Sequence, residues 1–290
     1  MNKTLSTLVL SASFAVGAGA IAQAPASAYT INGTDYLLYD VNGSSQTYVN
    51  PNANVNKLLE GNSASPGGNI ELFASSETTS LAAFKASDAR TSIVGTYAGK
   101  NLTLSSLTAK DWFGDSLNTS YGQNNFANKW FNAFYDAAGL ASSFGNTLAK
   151  RGIAYTAFLG ANLFQATSDP NISYITDNGS DLLIGLAGHY DLKAYYQTKL
   201  GPLANLIKNG FQASEVVKVQ YGDVSDLLYS FSATNSGLTE KTDRSSHSGN
   251  YEVSLKGVVP PKSVPEPSLM LGLAAVGGMV AASKRKAAQK

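Results

Sequence analysis

The chemistry available to this chain starts with its two histidines, because imidazole is the side chain whose ordinary pKa lies nearest neutrality. His189 follows an apolar run in Gly188-His189-Tyr190-Asp191, and His247 sits in a polar stretch. A hydroxyl nucleophile needs such a base, itself oriented by a carboxylate. Ser168 and Ser246 are the serines placed to suit that role. The nucleophile-elbow pattern G-x-S-x-G does not occur, and that pattern is what exposes a serine at a strand-to-helix turn. His189 is therefore read as a strand-end histidine hydrogen-bonded to backbone, and no catalytic residue is assigned.

Carboxylates offer a second chemistry. The pairs Asp111/Asp115 and Asp223/Asp226 have the residue types of a glycosidase pair, but that reaction needs two carboxyls at a set distance across a cleft. Helix-end charge and surface solvation are the expectation for both pairs. Asp177-Asn178-Gly179-Ser180-Asp181 is rich in oxygen ligands for Ca²⁺. Its glycine falls at the third place instead of the sixth, so a hairpin turn is expected there. H-E-x-x-H, Walker and G-x-G-x-x-G patterns are absent, as is every thiolate ligand, since the chain has no cysteine. No metal and no cofactor are assigned. The 15 tyrosines and two tryptophans could stack on sugar rings; core packing is the reading preferred for most of them.

The elements that must position these groups read as short strands and helices. Turns at Asn32-Gly33 and Asn42-Gly43 separate strands around Tyr36–Tyr39. Residues 50–69 read as a loop with one helical turn. Strands are predicted over Ile70–Phe73, Thr91–Tyr97, Leu102–Leu104, Ile172–Thr176, Leu182–Ala187, Glu215–Tyr221 and Tyr251–Leu255. Thr108-Ala109-Lys110-Asp111 has the form of a capping box. Phe126, Trp130, Phe131, Phe134, Tyr135 and Ala138 recur at helical spacing before Gly139, which predicts a helix over 123–138 with its aromatic stripe in the core. Further helices are predicted over Ser142–Arg151 and Pro202–Lys208, and residues 234–250 read as an exposed polar loop. Separated strands and helices together predict an α+β fold of mixed antiparallel strands with several short helices.

The two ends differ from this body. Among 290 residues, 43% are hydrophobic and 14% charged, the latter below the usual ~25%. The net charge is +1, yet five cations (Lys3, Lys284, Arg285, Lys286, Lys290) and one acid (Glu266) lie in the ends. The remainder is thus net acidic, which argues against nucleic acid or another polyanion as a partner. Residues 1–28 read as a signal peptide. A basic Lys3 precedes the apolar Leu5–Ala22, and Ala26-Ser27-Ala28 is an A-x-A cleavage signal ahead of Tyr29. Residues 29–256 form the exported domain and 257–262 a linker. Residues 263–290 then carry Pro265 and Pro267 around Glu266, an uncharged run over 268–283, and Lys284-Arg285-Lys286. As a helix that run spans about 24 Å, short of the ~30 Å hydrocarbon core. It suits transient membrane insertion, with the basic cluster kept on the cytoplasmic side.

Val264-Pro265-Glu266-Pro267, an apolar helix and a terminal basic cluster, in that order, resemble the PEP-CTERM sorting signal. The stretches SDPNISYITDNGSDLLIGLAGHYD and SATNSGL…SHSGNYEVSL are similar to stretches of cyanobacterial PEP-CTERM proteins. The resemblance implies an exported bacterial protein that meets the Sec translocon and then an exosortase. It implies recognition at Pro265-Glu266-Pro267, removal of the tail, and a place at the cell surface or in an exopolysaccharide matrix. The expectation that follows is a non-enzymatic surface or matrix protein. The competing expectation is a secreted hydrolase of polysaccharide or peptide, favoured if His189 and two carboxylates share one hollow.

Overall fold

The computed structural model describes residues 28–43, 45–73 and 79–260. The signal-peptide residues 1–27, including Ala26, and the sorting segment with Val264, Pro265, Glu266, Pro267, Lys284, Arg285 and Lys286 lie outside these. No helix among the described residues is long and apolar enough to cross a membrane.

Alternating apolar residues build two sheets that share one core. The first is β1 (Thr30–Asn32), β7 (Ser92–Tyr97), β8 (Lys100–Ser105), β11 (Val217–Tyr221) and β12 (Val224–Leu228), in that spatial order and antiparallel throughout. The second has eight strands in the order β13 (Thr234–Asn235), β15 (Gly249–Leu255), β10 (Leu182–Gly188), β9 (Asn171–Asp177), β6 (Gly68–Leu72), β2 (Tyr36–Asn42), β3 (Gln46–Val49) and β14 (Thr239–Glu240). Only the β3–β14 pair in it is parallel. Leu38, Ile70, Leu72, Ile172, Ile184 and Leu186 of the larger sheet join Ile93, Leu102, Leu104, Val217 and Val219 of the smaller in one buried cluster. Period-two alternation then sends the residues between them outward.

A small hairpin of β4 (Gly61–Asn62) and β5 (Ser65–Pro66) follows the single turn of α1 (Val55–Leu58) and contacts β9. Gly185 in β10 makes room for the Tyr174 ring: a Cβ there would lie 2.1 Å from Tyr174 Cε1. The ring crosses the glycine so that its hydroxyl donates to Glu252, 2.9 Å away.

Helices gather into a second core. After α2 (Leu81–Ala86), the segment between β8 and β9 holds α3 (Ala109–Phe113), α4 (Phe126–Ala137), α5 (Leu140–Ser143), α6 (Leu148–Gly160) and α7 (Leu163–Ala166). Thr108 and Asp111 form the predicted capping box of α3. Trp130, Phe131, Phe134 and Tyr135 of α4 are buried among Trp112, Phe158 and Phe164, so the stripe is core. The fold is α+β.

Three local expectations need correction. The helix expected over Ser142–Arg151 is broken: α5 ends at Ser143, and α6 starts afresh with the Thr147 hydroxyl accepting from the Lys150 amide. The helix expected from Pro202 is a 3₁₀ turn, Gly201–Leu206, continuing the unforeseen α8 (Lys193–Leu200). Residues 234–250 are not simply an exposed loop, because β13 and β14 lie there and Ser236, Glu240 and His247 are buried.

Candidate functional site

The outward face of the larger sheet supplies the floor of a cleft. Leu37 is opposite Glu71 in the β2–β6 register, and Glu71 is opposite Asn171 in the β6–β9 register. One row across three strands thus carries Leu37, Glu71 and Asn171 on the side away from the sandwich core. The cleft, about 600 Å³, is walled by His189 and Asp191 beyond β10, Tyr195 and Thr198 on α8, Glu215 just before β11, and the loop from Asp243 to His247. That volume falls in the range of small-molecule sites. A larger hollow, about 860 Å³, opens beside Ala28 and Tyr29, where the described chain begins, and contains no histidine.

Backbone contacts place His189. Gly188 pairs with Gly249 at the end of the β10–β15 ladder. The chain then folds back so tightly that a Cβ on Gly249 would sit 3.0 Å from Tyr190 N. The Tyr251 hydroxyl donates to the His189 carbonyl at 2.5 Å and accepts from the Ala213 amide at 3.1 Å. The His189 ring lies 5.3 Å from that of Tyr195, centroid to centroid.

His247 is held differently. It is 5% exposed, has φ +62°, and its Nδ1 lies 2.7 Å from Thr47 Oγ1. Its ring meets Tyr39 edge-on, 4.6 Å between centroids. Burial pushes its pKa down to about 4, with the pull of Asp243 and the push of His189 as smaller effects. The ring is neutral at pH 7. The Tyr39 hydroxyl donates to Glu71 Oε2 at 3.2 Å, and burial, with the Glu71 carboxylate beside it, raises the phenol pKa and keeps that proton in place.

The carboxylates of the cleft are bound into the fold in different ways. Asn171 gives its backbone N–H and its Nδ2 to Glu215 Oε2, at 3.0 and 3.3 Å. Asp191 accepts from the Lys193 and Gly210 amides. Asp243 accepts from the Ser245 and Ser246 amides and from the Ser246 hydroxyl. Burial alone would raise the Asp243 carboxyl, but those donors and the nearby His189 outweigh it and the net shift is downward. Asn171 is 6% exposed and its Oδ1 is enclosed without a hydrogen-bond partner, a desolvated acceptor within the fold beside the cleft.

The residues singled out from sequence divide clearly. His189, His247 and Ser246 come together here; Ser246 gives its proton to Asp243, so no serine–imidazole dyad is built from it. Ser168 is fully buried, donating to the Phe164 carbonyl and accepting from Trp112 Nε1, a structural role. Asp111 bridges Arg90 at 3.0 Å and Lys218 at 2.8 Å. Its pKa is lowered because the Lys218 and Thr108 hydrogen bonds and the Arg90 charge exceed the burial that would raise it. Asp115, Asp223 and Asp226 are exposed and outside the cleft.

Asp177–Asp181 is the hairpin turn expected. Asp177 accepts from the Gly179 amide, Asn178 from the Ser180 and Asp181 amides, and Asp181 from Gly257 and Lys256. Among the described residues no group of histidine and carboxylate side chains is arranged to hold a metal ion. Glu71, Asn171, Asp191 and Glu215 escape sequence reasoning. The one local sign was Glu71, an acid at an outward position in the otherwise uncharged strand Gly68-Asn69-Ile70-Glu71-Leu72. No family model matches this chain, and no curated protein or solved structure matches it either.

Proposed function

We propose that this is an exported surface or extracellular-matrix protein, carried across the membrane by the Sec translocon and trimmed by an exosortase, whose body works by recognition and not by catalysis. The observation that carries this reading is the succession of three parts in the C-terminal sequence: Pro265-Glu266-Pro267, an uncharged run over 268–283, and Lys284-Arg285-Lys286. Prolines on both sides of an acid disfavour a helix through it. A span about 24 Å long is easily withdrawn from a ~30 Å core. The signal sequence ending at Ala28 agrees in direction, since it puts the body outside and the basic cluster inside. In the body, Ser168 and Ser246 both spend their hydroxyls on other oxygens, so neither forms a serine–imidazole dyad.

Glu266→Ala tests the sorting step. The variant is expected to stay membrane-associated and to keep a tail of about 2–3 kDa that the wild type loses. Identical processing of variant and wild type would overturn the proposal. The cleft favours one second reading, a secreted hydrolase of polysaccharide or peptide, because His189 and four carboxylates line a single hollow. His189→Gln should then abolish any hydrolytic activity found in the purified protein, and full retention would remove that reading.

A further inference from the structure

We propose that the groove between α6 and the 3₁₀ turn is a membrane-docking face that seats the body on an anionic bilayer. This goes beyond the sorting reading, since it gives the body a hold on lipid of its own, separate from residues 263–290. The first observation is apolar surface left uncovered among the described residues. Leu148 and Ile153, both on α6, are the two most exposed large apolar side chains, at 74% and 58%. Ile153 and Ala157 line the groove with Phe144, and Leu200, Leu203 and Leu206 reach it from the end of α8 and the turn. Leu203 is itself 47% exposed. With about 50 Å³ of room the groove is far smaller than a small-molecule site, so what it suits is a surface.

The second observation is charge. The stretches 137–168 and 192–214, which supply these six residues, contain Lys150, Arg151, Lys193, Lys199 and Lys208 and no acid, in a body that is net acidic. Arg151 is spent on Asp136, and Lys193 on Asn209. Asp191, just ahead of the second stretch, belongs to the lining of the cleft. Lys150, Lys199 and Lys208 are exposed and border the groove. The Lys150 Nζ lies 4.5 Å from the Phe144 ring centroid, Lys199 precedes Leu200, and Lys208 follows Ile207, another lining residue. Apolar side chains rimmed by lysines match the interface of an anionic bilayer: the apolar groups enter the acyl boundary and the ammonium groups meet lipid phosphates. Lysine stems are long enough to keep their charged heads in the headgroup layer. A second copy of the chain is a poorer occupant, because in a two-fold contact the patch would face its own cations.

The chain has no cysteine, so one introduced thiol carries one fluorescent label. The full-length protein is labelled at Leu203→Cys in the groove, or at Val49→Cys on β3, which is 48% exposed and outside it. Each is mixed with vesicles of phosphatidylcholine alone, or with about one third phosphatidylglycerol, in both cases with brominated acyl chains that quench a label reaching them. In the anionic vesicles Leu203→Cys is expected to be quenched at least about twofold more than Val49→Cys. That quenching should fall by at least about half in ~0.5 M salt. Adding Lys150→Gln with Lys208→Gln should do the same, with the thermal midpoint unchanged. Equal quenching at the two positions overturns the proposal, and is what insertion through residues 263–290 alone would give. Equal quenching of Leu203→Cys in neutral and anionic vesicles overturns it as well. A Leu203→Cys label shielded from water without lipid, and more so as protein concentration rises, would assign the groove to a second copy and also overturn it. None of these outcomes touches the sorting reading, which stands or falls on processing at Glu266.

Discussion

A buried imidazole in a left-handed backbone turn is an unusual use of histidine. His247 keeps its φ of +62°, a region in which histidine and asparagine are tolerated better than most side chains. Its neighbours Tyr39, Thr47, Asp243 and His189 set its state without giving it a full counter-charge. The unfolded chain takes up its proton near pH 6.5 and the folded protein near 4, so between those values the unfolded state holds the extra proton. Stability from this group is therefore complete above pH 6.5 and falls as the pH drops towards 4, by on the order of 3 kcal/mol. His247→Asn, which tolerates the same φ, should flatten urea-unfolding stability over that window relative to wild type. Parallel pH curves for the two proteins would contradict this. Asp111 and Asp243, whose pKa values are also lowered, lose their contribution only at lower pH, as each is protonated.

At the scale of elements, α4 is the post against which the helical core is built. Trp130 is fully buried and lies within 5.3–5.6 Å, centroid to centroid, of Trp112, Phe134 and Phe158. Trp130→Ala should cost about 3–5 kcal/mol, while Lys129→Ala on its exposed side should stay within about 0.5 kcal/mol. Denaturant midpoints at constant m-value are the measurement, and similar losses for both would contradict the packing assigned to α4. This helix was legible in the sequence because Phe126, Trp130, Phe131, Phe134 and Tyr135 repeat at helical spacing. By contrast, α8 was not legible, since Tyr196 is its one buried side chain and a single anchor leaves no period. The β9–β10 hairpin was legible from Asp177-Asn178-Gly179-Ser180. That β1 and β2, adjacent in sequence, join different sheets was not, because long-range pairing with β7 and β6 decides it. The cleft was invisible for the same reason. Its histidines could be noticed singly, but Glu71 and Asn171 meet only through the register of the large sheet, and Glu215, before β11 of the smaller sheet, and His247, on the loop before β15, reach them only through long-range packing.

On the proposed reading, the whole molecule joins a folded body to end segments that carry its routing signals. Among the described residues, sandwich and helices each close an apolar core, and they do so without cysteine, so the fold requires no oxidation step. The body is net acidic, while most cations in excess of it sit at the termini. Removing both ends would leave an acidic protein with an acidic cleft. Intact mass of the mature protein from its native cells tests this account most directly. The account predicts a chain that starts at Tyr29 and ends near Pro267, recovered from the envelope or medium. A cytosolic chain running from Met1 to Lys290 would contradict it.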